Sequence, residues 1–506
     1  MTQKKIKQKS LTVPQKKEKA ISLLQLSLER EIMASEPNPN RVPESMTRPV
    51  GGTEYSWCRA ITGGTGIAVI ALLLSRVPKL ENLQNTLNKL QIFHPTLRSN
   101  IRFDGSANSF SFVTSADSRV EIHPVDSAST AQIIRDSDYP SAEPHRIILE
   151  HEMNKNTWID PHRWPNGQVG VFFVSLYDLG DGEERILTFR LNTGACDRTS
   201  AVTLLREFMK ETTAADGRGN SPGAVAETAE LGKAIEDLVP SGKGDKPFWA
   251  RGIDVLGYSL NAFRFSNLNF VDAEDSNRRS QVVRLKLERD QTIKLVAGCK
   301  GRGLKLWAAI ASAGLISAYS SKNQESGQGE KYAVVTLSDC RSVLEPPLTP
   351  NDFGFYHSGI LHTHDINGEE KLWDLAKRCY DSFTSAKNSN KHFTDMSDLN
   401  FLMCKAIENP NLTPSSSLRT AYISIFEDPV TDEYPEPALA SAGVRDYIGC
   451  ASIHGVGPSV AVFDTLRDGK LDCAFVYPSP LHSREQMDGL IQHMKAILLE
   501  GSSSSF

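Results

Sequence analysis

The side chains best placed to do chemistry lie in one short segment: Arg190, Asn192, Thr193, Cys196, Asp197, Arg198 and Ser200. The apolar run Ile186-Leu-Thr-Phe189 feeds it as a strand, and a helical pattern follows from Ala201. An amide, a hydroxyl, a thiol and a carboxylate therefore share one strand-to-helix turn. Asn and Asp favour turns, and Asp or Thr caps helices, so a purely structural turn is one reading. Asn192 and Thr193 can also hydrogen-bond a substrate or orient a water. Neither takes a proton near neutrality; that task suits imidazole, with its ordinary pKa of about 6.5. The turn holds no histidine. Cys196 would need a neighbouring base to act as a nucleophile, and a small buried cysteine is the simpler reading.

The imidazoles lie elsewhere. His94 precedes Pro95, which disfavours helix at the residue before it and ends a helix there. His357, His362 and His364, with Asp365, form the densest group; alternate residues of a strand share a face, so His362 and His364 make a weak metal pair. No metal is expected. His454 sits in Gly449-Cys-Ala-Ser-Ile-His-Gly455-Val-Gly457, where glycines permit close backbone approach. A turn histidine held by the backbone is the competing reading. Asp352-Phe353-Gly354 lacks the Gly-rich loop and the other parts that phosphoryl transfer needs, so it is read as a loop.

Several elements must position these groups. Gly66-Ile-Ala-Val-Ile-Ala-Leu-Leu-Leu predicts a buried strand, and Leu80, Leu83, Leu87 and Leu90 recur at helical spacing. Val169 to Tyr177 predicts a second buried strand. Glycines 301 and 303 divide one helix from an alanine-rich one running towards Tyr319. Tyr332 to Ser338 predicts a strand. Val460 to Tyr477 predicts a hairpin turned by Asp468-Gly469, followed by a last helix from Ser483. Residues 34–53 are read as an exposed lead-in, 211–248 as a loop and crossover, and 272–280 as a solvated turn.

Composition limits the function classes. The chain has 506 residues, 40% hydrophobic and 23% charged, enough for a large core. A formal charge of −5 over that length argues for neither nucleic acid nor an anionic membrane as a partner. No apolar stretch reaches the roughly 18 residues of a membrane span. Eight cysteines without a Cys-x-x-Cys pair suggest reduced thiols and a cytoplasmic protein. Residues 1–32 are lysine-rich, carry a helical patch from Ile21 to Leu28, and are expected to be dispensable for folding, with Met33 resembling an ordinary start.

Taken in chain order, these motifs resemble the chloramphenicol acetyltransferase-like superfamily, which includes peptide condensation domains and plant acyltransferases. There the strand-to-helix loop reads His-His-x-x-x-Asp-Gly; here Asn192 and Thr193 stand at the histidine positions and Asp197 at the aspartate. His94-Pro95-Thr96-Leu97-Arg98 and the order Asp339-Cys340-Arg341, Pro346-Pro347, Asp352 to Tyr356 are similar to further superfamily segments. Over about residues 48–500 the resemblance implies an α/β (α+β) protein of two acetyltransferase-like lobes, each a mixed sheet with flanking helices, and a tunnel between them. The implied division is an extension at 1–47, a first lobe at 48–215, a crossover at 216–250 and a second lobe at 251–500. It implies acyl transfer from a thioester such as acyl-coenzyme A, as co-substrate and not as a tightly bound cofactor, to an alcohol or amine, in a monomer.

The expected catalytic set is Asn192, Thr193, Asp197 and His454, the last as a replacement base. Phe355, Tyr356, His357 and Gly455 would contact substrate, and Asp197 would pair with Arg341 or another arginine. The alternative is an inactive homologue that binds a ligand or a protein partner.

Overall fold

The computed structural model describes residues 46–503, apart from 77–78, 115–118, 181, 183, 217–229, 263–264, 323–327, 414–416, 432–438 and 441. The extension at 1–32, its helical patch and the Met33 start lie outside the described residues.

The strands in chain order are β1 (Met46–Pro49), β2 (Thr65–Leu74), β3 (Ser99–Asp104), β4 (Ser109–Thr114), β5 (Ile122–Val125), β6 (Gln168–Gly170), β7 (Phe172–Asp178) and β8 (Arg185–Asn192). They continue as β9 (Arg279–Leu287), β10 (Glu330–Asp339), β11 (His357–Ile366), β12 (Ile423–Phe426), β13 (Val430–Thr431), β14 (Val444–Ile453), β15 (Val460–Arg467) and β16 (Lys470–Ser479). One mixed sheet has the order β14-β2-β8-β7-β5, and a second has β11-β10-β12-β15-β16-β9 with β13 beside β15. A small sheet, β1-β4-β3-β6, flanks the first.

β2 is nearly uniformly apolar because it is central: β8 and β14 cover its edges, and helices Gly52–Thr62 and Pro144–Asn154 pack on it. The core of this lobe adds Leu83, Leu87 and Leu90 of helix Leu80–Phe93 and Leu204, Leu205 and Phe208 of helix Arg198–Asp216. The second lobe centres on helix Leu306–Ser320, buried almost all round between its sheet and helices Leu372–Asn388 and Arg484–Ser503. Its alanines and Gly314 let β12 approach closely, and the Tyr422 hydroxyl donates to the Gly314 carbonyl at 3.0 Å. This is the two-lobed α/β architecture that the resemblance implies.

Four local readings change. The run Val169–Tyr177 is divided between β6 and β7, because the Val171 amide bonds the Ser99 carbonyl and the chain changes sheets there. In the expected lead-in, Met46–Pro49 pairs with β4 and a helix starts at Gly52; its buried Thr53, Glu54 and Ser56 break the apolar pattern that would have announced it. Within the expected crossover, the first-lobe helix runs on to Asp216, and a short turn at Ile235–Leu238 is buried. Residues 272–278 do turn on the Asp272 carboxylate, which accepts from the Glu274 and Asp275 amides, but Arg279 and Ser280 already belong to β9.

The lobes are also not two consecutive pieces of chain. β14, residues 444–453, inserts into the first lobe's sheet beside β2.

Candidate functional site

β8 ends at Asn192, and the chain turns into helix Arg198–Asp216. The turn is built from its own residues: the Asn192 side-chain oxygen accepts from the Gly194 amide at 2.9 Å, and the Thr193 amide donates to the Gly66 carbonyl at 3.1 Å. Asp197 caps the helix through the Ser200 amide at 2.9 Å.

The second lobe grips the same carboxylate. Arg341 donates to it from both guanidinium nitrogens, at 2.8 and 3.0 Å, and the Tyr356 amide donates at 2.9 Å. The Asp197 amide in turn donates to the Gly354 carbonyl at 3.0 Å. Burial alone would push the Asp197 carboxyl up; the Arg341 charge, then His357, outweighs it and holds the group well below the usual carboxylate range.

His357 completes the cluster. Its Nδ1 lies 2.9 Å from the Asp197 carboxylate. A carboxylate that stays ionised only accepts, so Nδ1 carries the proton of this contact. Among the described residues nothing hydrogen-bonds Nε2. The ring stands between Phe355, 6.4 Å away, and Phe426, 5.5 Å away.

These groups border a cavity of about 680 Å³ between the two main sheets. Thr193, Asp197, Phe355 and His357 all lie on its wall. The Thr193 hydroxyl is buried with no hydrogen-bond partner among the described residues. Cys196 is also on the wall, but burial pushes its thiol far above the ordinary range and Asp197 adds to this, so it is no ready nucleophile.

The other expected site residues lie elsewhere. Asn192 is fully buried beneath the wall, where its oxygen is used by the turn. Tyr356 is off the wall, between Phe355 and His357, which are on it. Its hydroxyl donates to the Lys233 carbonyl at 3.0 Å and its ring lies 4.8 Å from the Arg341 guanidinium. His454 is off the wall: Ser280 accepts from the Ile453 amide and offers its own proton to His454 Nδ1 at 3.0 Å. Burial, aided by Arg419, lowers the His454 pKa to about 4. Gly455 is a packing point, with its carbonyl taking a 2.7 Å bond from Arg419.

His94 stacks on Phe353 at 3.8 Å and bonds Glu207 at 2.6 Å, a structural role at the lobe junction. His362 Nδ1 and His364 Nε2 lie 2.7 Å apart in a buried pair, and among the described residues no group of three or more potential ligands is arranged to hold a metal. All eight cysteines are free. No helix among the described residues is long and apolar enough to cross a membrane.

No protein-family model matches the chain, and no curated protein matches it by sequence. Solved structures do. Polyketide synthase associated protein 5 from Mycobacterium tuberculosis matches with a TM-score of 0.62 at 16% identity, over 90% of this chain and 98% of that one. Trichothecene 15-O-acetyltransferase TRI3 from Fusarium sporotrichioides matches with 0.65 at 12%, over 90% and 95%. The EpoB cyclization-docking bidomain from Sorangium cellulosum matches with 0.61 at 14%, over 99% and 94%. The chain shares the fold of these structures. Within that fold it carries a His357–Asp197 pair on the cavity wall, with a threonine at position 193.

Proposed function

We propose that the protein transfers an acyl group from a thioester to an alcohol or amine, with His357 as the general base. The observation that carries this reading is the 2.9 Å contact between His357 Nδ1 and Asp197 on the wall of the interlobe cavity. Asp197 fixes the tautomer, so Nε2 can take the proton of the acceptor as its oxygen or nitrogen attacks the thioester carbonyl carbon. The tetrahedral intermediate then collapses, the carbon–sulfur bond breaks, and the departing thiolate receives that proton from His357. The unpartnered Thr193 hydroxyl is suited to donate to the developing oxyanion. Acyl-coenzyme A is the proposed donor, used as a co-substrate.

A panel of acyl-coenzyme A donors with alcohol and amine acceptors, read by thiol release, tests this. His357→Ala is expected to lower the rate about 10²- to 10⁴-fold. Full activity in that variant, with loss in His454→Ala, would overturn the assignment of the base. A second reading, a homologue that holds a ligand without turnover, is favoured by the absence of imidazole at positions 192 and 193. It predicts no thiol release from the parent and a gain in Thr193→His.

A further inference from the structure

The composition of the cavity wall narrows what enters it. Apolar side chains come from every quarter: Val202 and Leu205 from helix Arg198–Asp216, Leu402 and Met403 from helix Met396–Glu408, Leu337 from β10 and Phe463 from β15. The charged side chains on the wall are already engaged. Asp197 is taken by Arg341, and Arg198 by Asp464 at 3.1 Å. Arg206 donates to the Thr431 carbonyl at 2.7 Å, Lys405 to Glu408 at 2.8 Å, and Arg419 to the Gly455 carbonyl at 2.7 Å. Each of these charges already has a partner. Thr65 and Thr193 each bring to the wall a hydroxyl without a partner among the described residues, and the Thr193 hydroxyl with His357 Nε2 suits a single hydroxyl.

We infer that the acceptor is an uncharged amphiphile: one hydroxyl at His357 and Thr193, joined to a long or bulky apolar body that fills the space between the sheets. This rests on the acyl-transfer reading only for the placing of the hydroxyl. A volume of about 680 Å³ is far more than a short alcohol occupies, and pockets of this size ordinarily enclose drug-sized molecules.

The test is calorimetric binding of 1-alkanols, butanol to decanol, to the full chain. Affinity is expected to rise about fourfold with each added methylene while the chain enters the apolar space. Val202→Trp and Met403→Trp, on separate helices, each narrow that space. Each is expected to flatten the series at shorter alkanols while butanol binding stays within twofold, and either variant that folds suffices. Affinity independent of chain length, or a rise that neither tryptophan alters, would overturn the inference. Graded binding without thiol release from any donor would keep it and remove the acyl-transfer reading. Thiol release confined to short acceptors, with no graded binding, would do the reverse.

Discussion

Asp197 concentrates the consequences of single substitutions. Its carboxylate receives Arg341, Ser200, Tyr356 and His357 in a buried setting. Asp197→Asn would leave the buried Arg341 with only the half-exposed Asp339 carboxylate, at 3.2 Å, as counter-charge, and removing one member of a buried pair costs up to about 3–5 kcal/mol. The expected result is a lower denaturation midpoint with an unchanged slope against denaturant, together with loss of any transfer activity. Asp197 was legible because a carboxylate in a strand-to-helix turn has recognisable cap chemistry. The partnership with His357 was not, since 160 positions separate the two residues and only tertiary packing joins them. His454 drew attention through its glycine neighbours, yet those glycines serve backbone packing.

At the scale of elements, local chemistry announced itself and long-range pairing did not. The Asp468-Gly469 turn could be read because both residues take positive φ, 50° and 72°, as a two-residue hairpin turn requires. The helix at Gly52–Thr62 was hidden by its buried polar residues, and the change of sheet near Val171 leaves a sequence that looks like one strand. The tight approach at Gly455 is similarly invisible in the sequence. A Cβ there would come 2.4 Å from the Gly63 carbonyl oxygen, a backbone atom with little room to yield. Gly455→Ala is therefore expected to destabilise the fold by about 1–3 kcal/mol in chemical denaturation. Because His454 and Gly455 lie off the cavity wall, the variant's remaining folded fraction is expected to keep its alkanol affinity.

For the molecule as a whole, acid sensitivity follows from buried imidazoles. Burial lowers the pKa of His362 and His482 to about 3 and of His364 and His454 to about 4. In the unfolded chain these groups take protons near pH 6.5, so the unfolded state binds more protons than the native state below that value. Stability is thus complete above about pH 6.5 and declines as pH falls towards 4. Thermal melts between pH 7.5 and 4.5 should show a steadily falling midpoint, and a flat profile would contradict the burial of these rings. The overall division into two sheets with flanking helices was legible only through the family resemblance that the order of the motifs carries. The crossing of β14 into the first sheet was not, because Val444–Ile453 reads as a strand without saying which neighbour it joins.

That crossing has a consequence for biosynthesis. Until residues up to Ile453 have left the ribosome, β2 has β8 on one side and a bare, almost wholly apolar edge on the other. The first sheet is complete only once β14 has been made, and an open strand edge of this kind is a template for pairing with other chains. Expressed alone, the amino-terminal half is expected to accumulate in inclusion bodies.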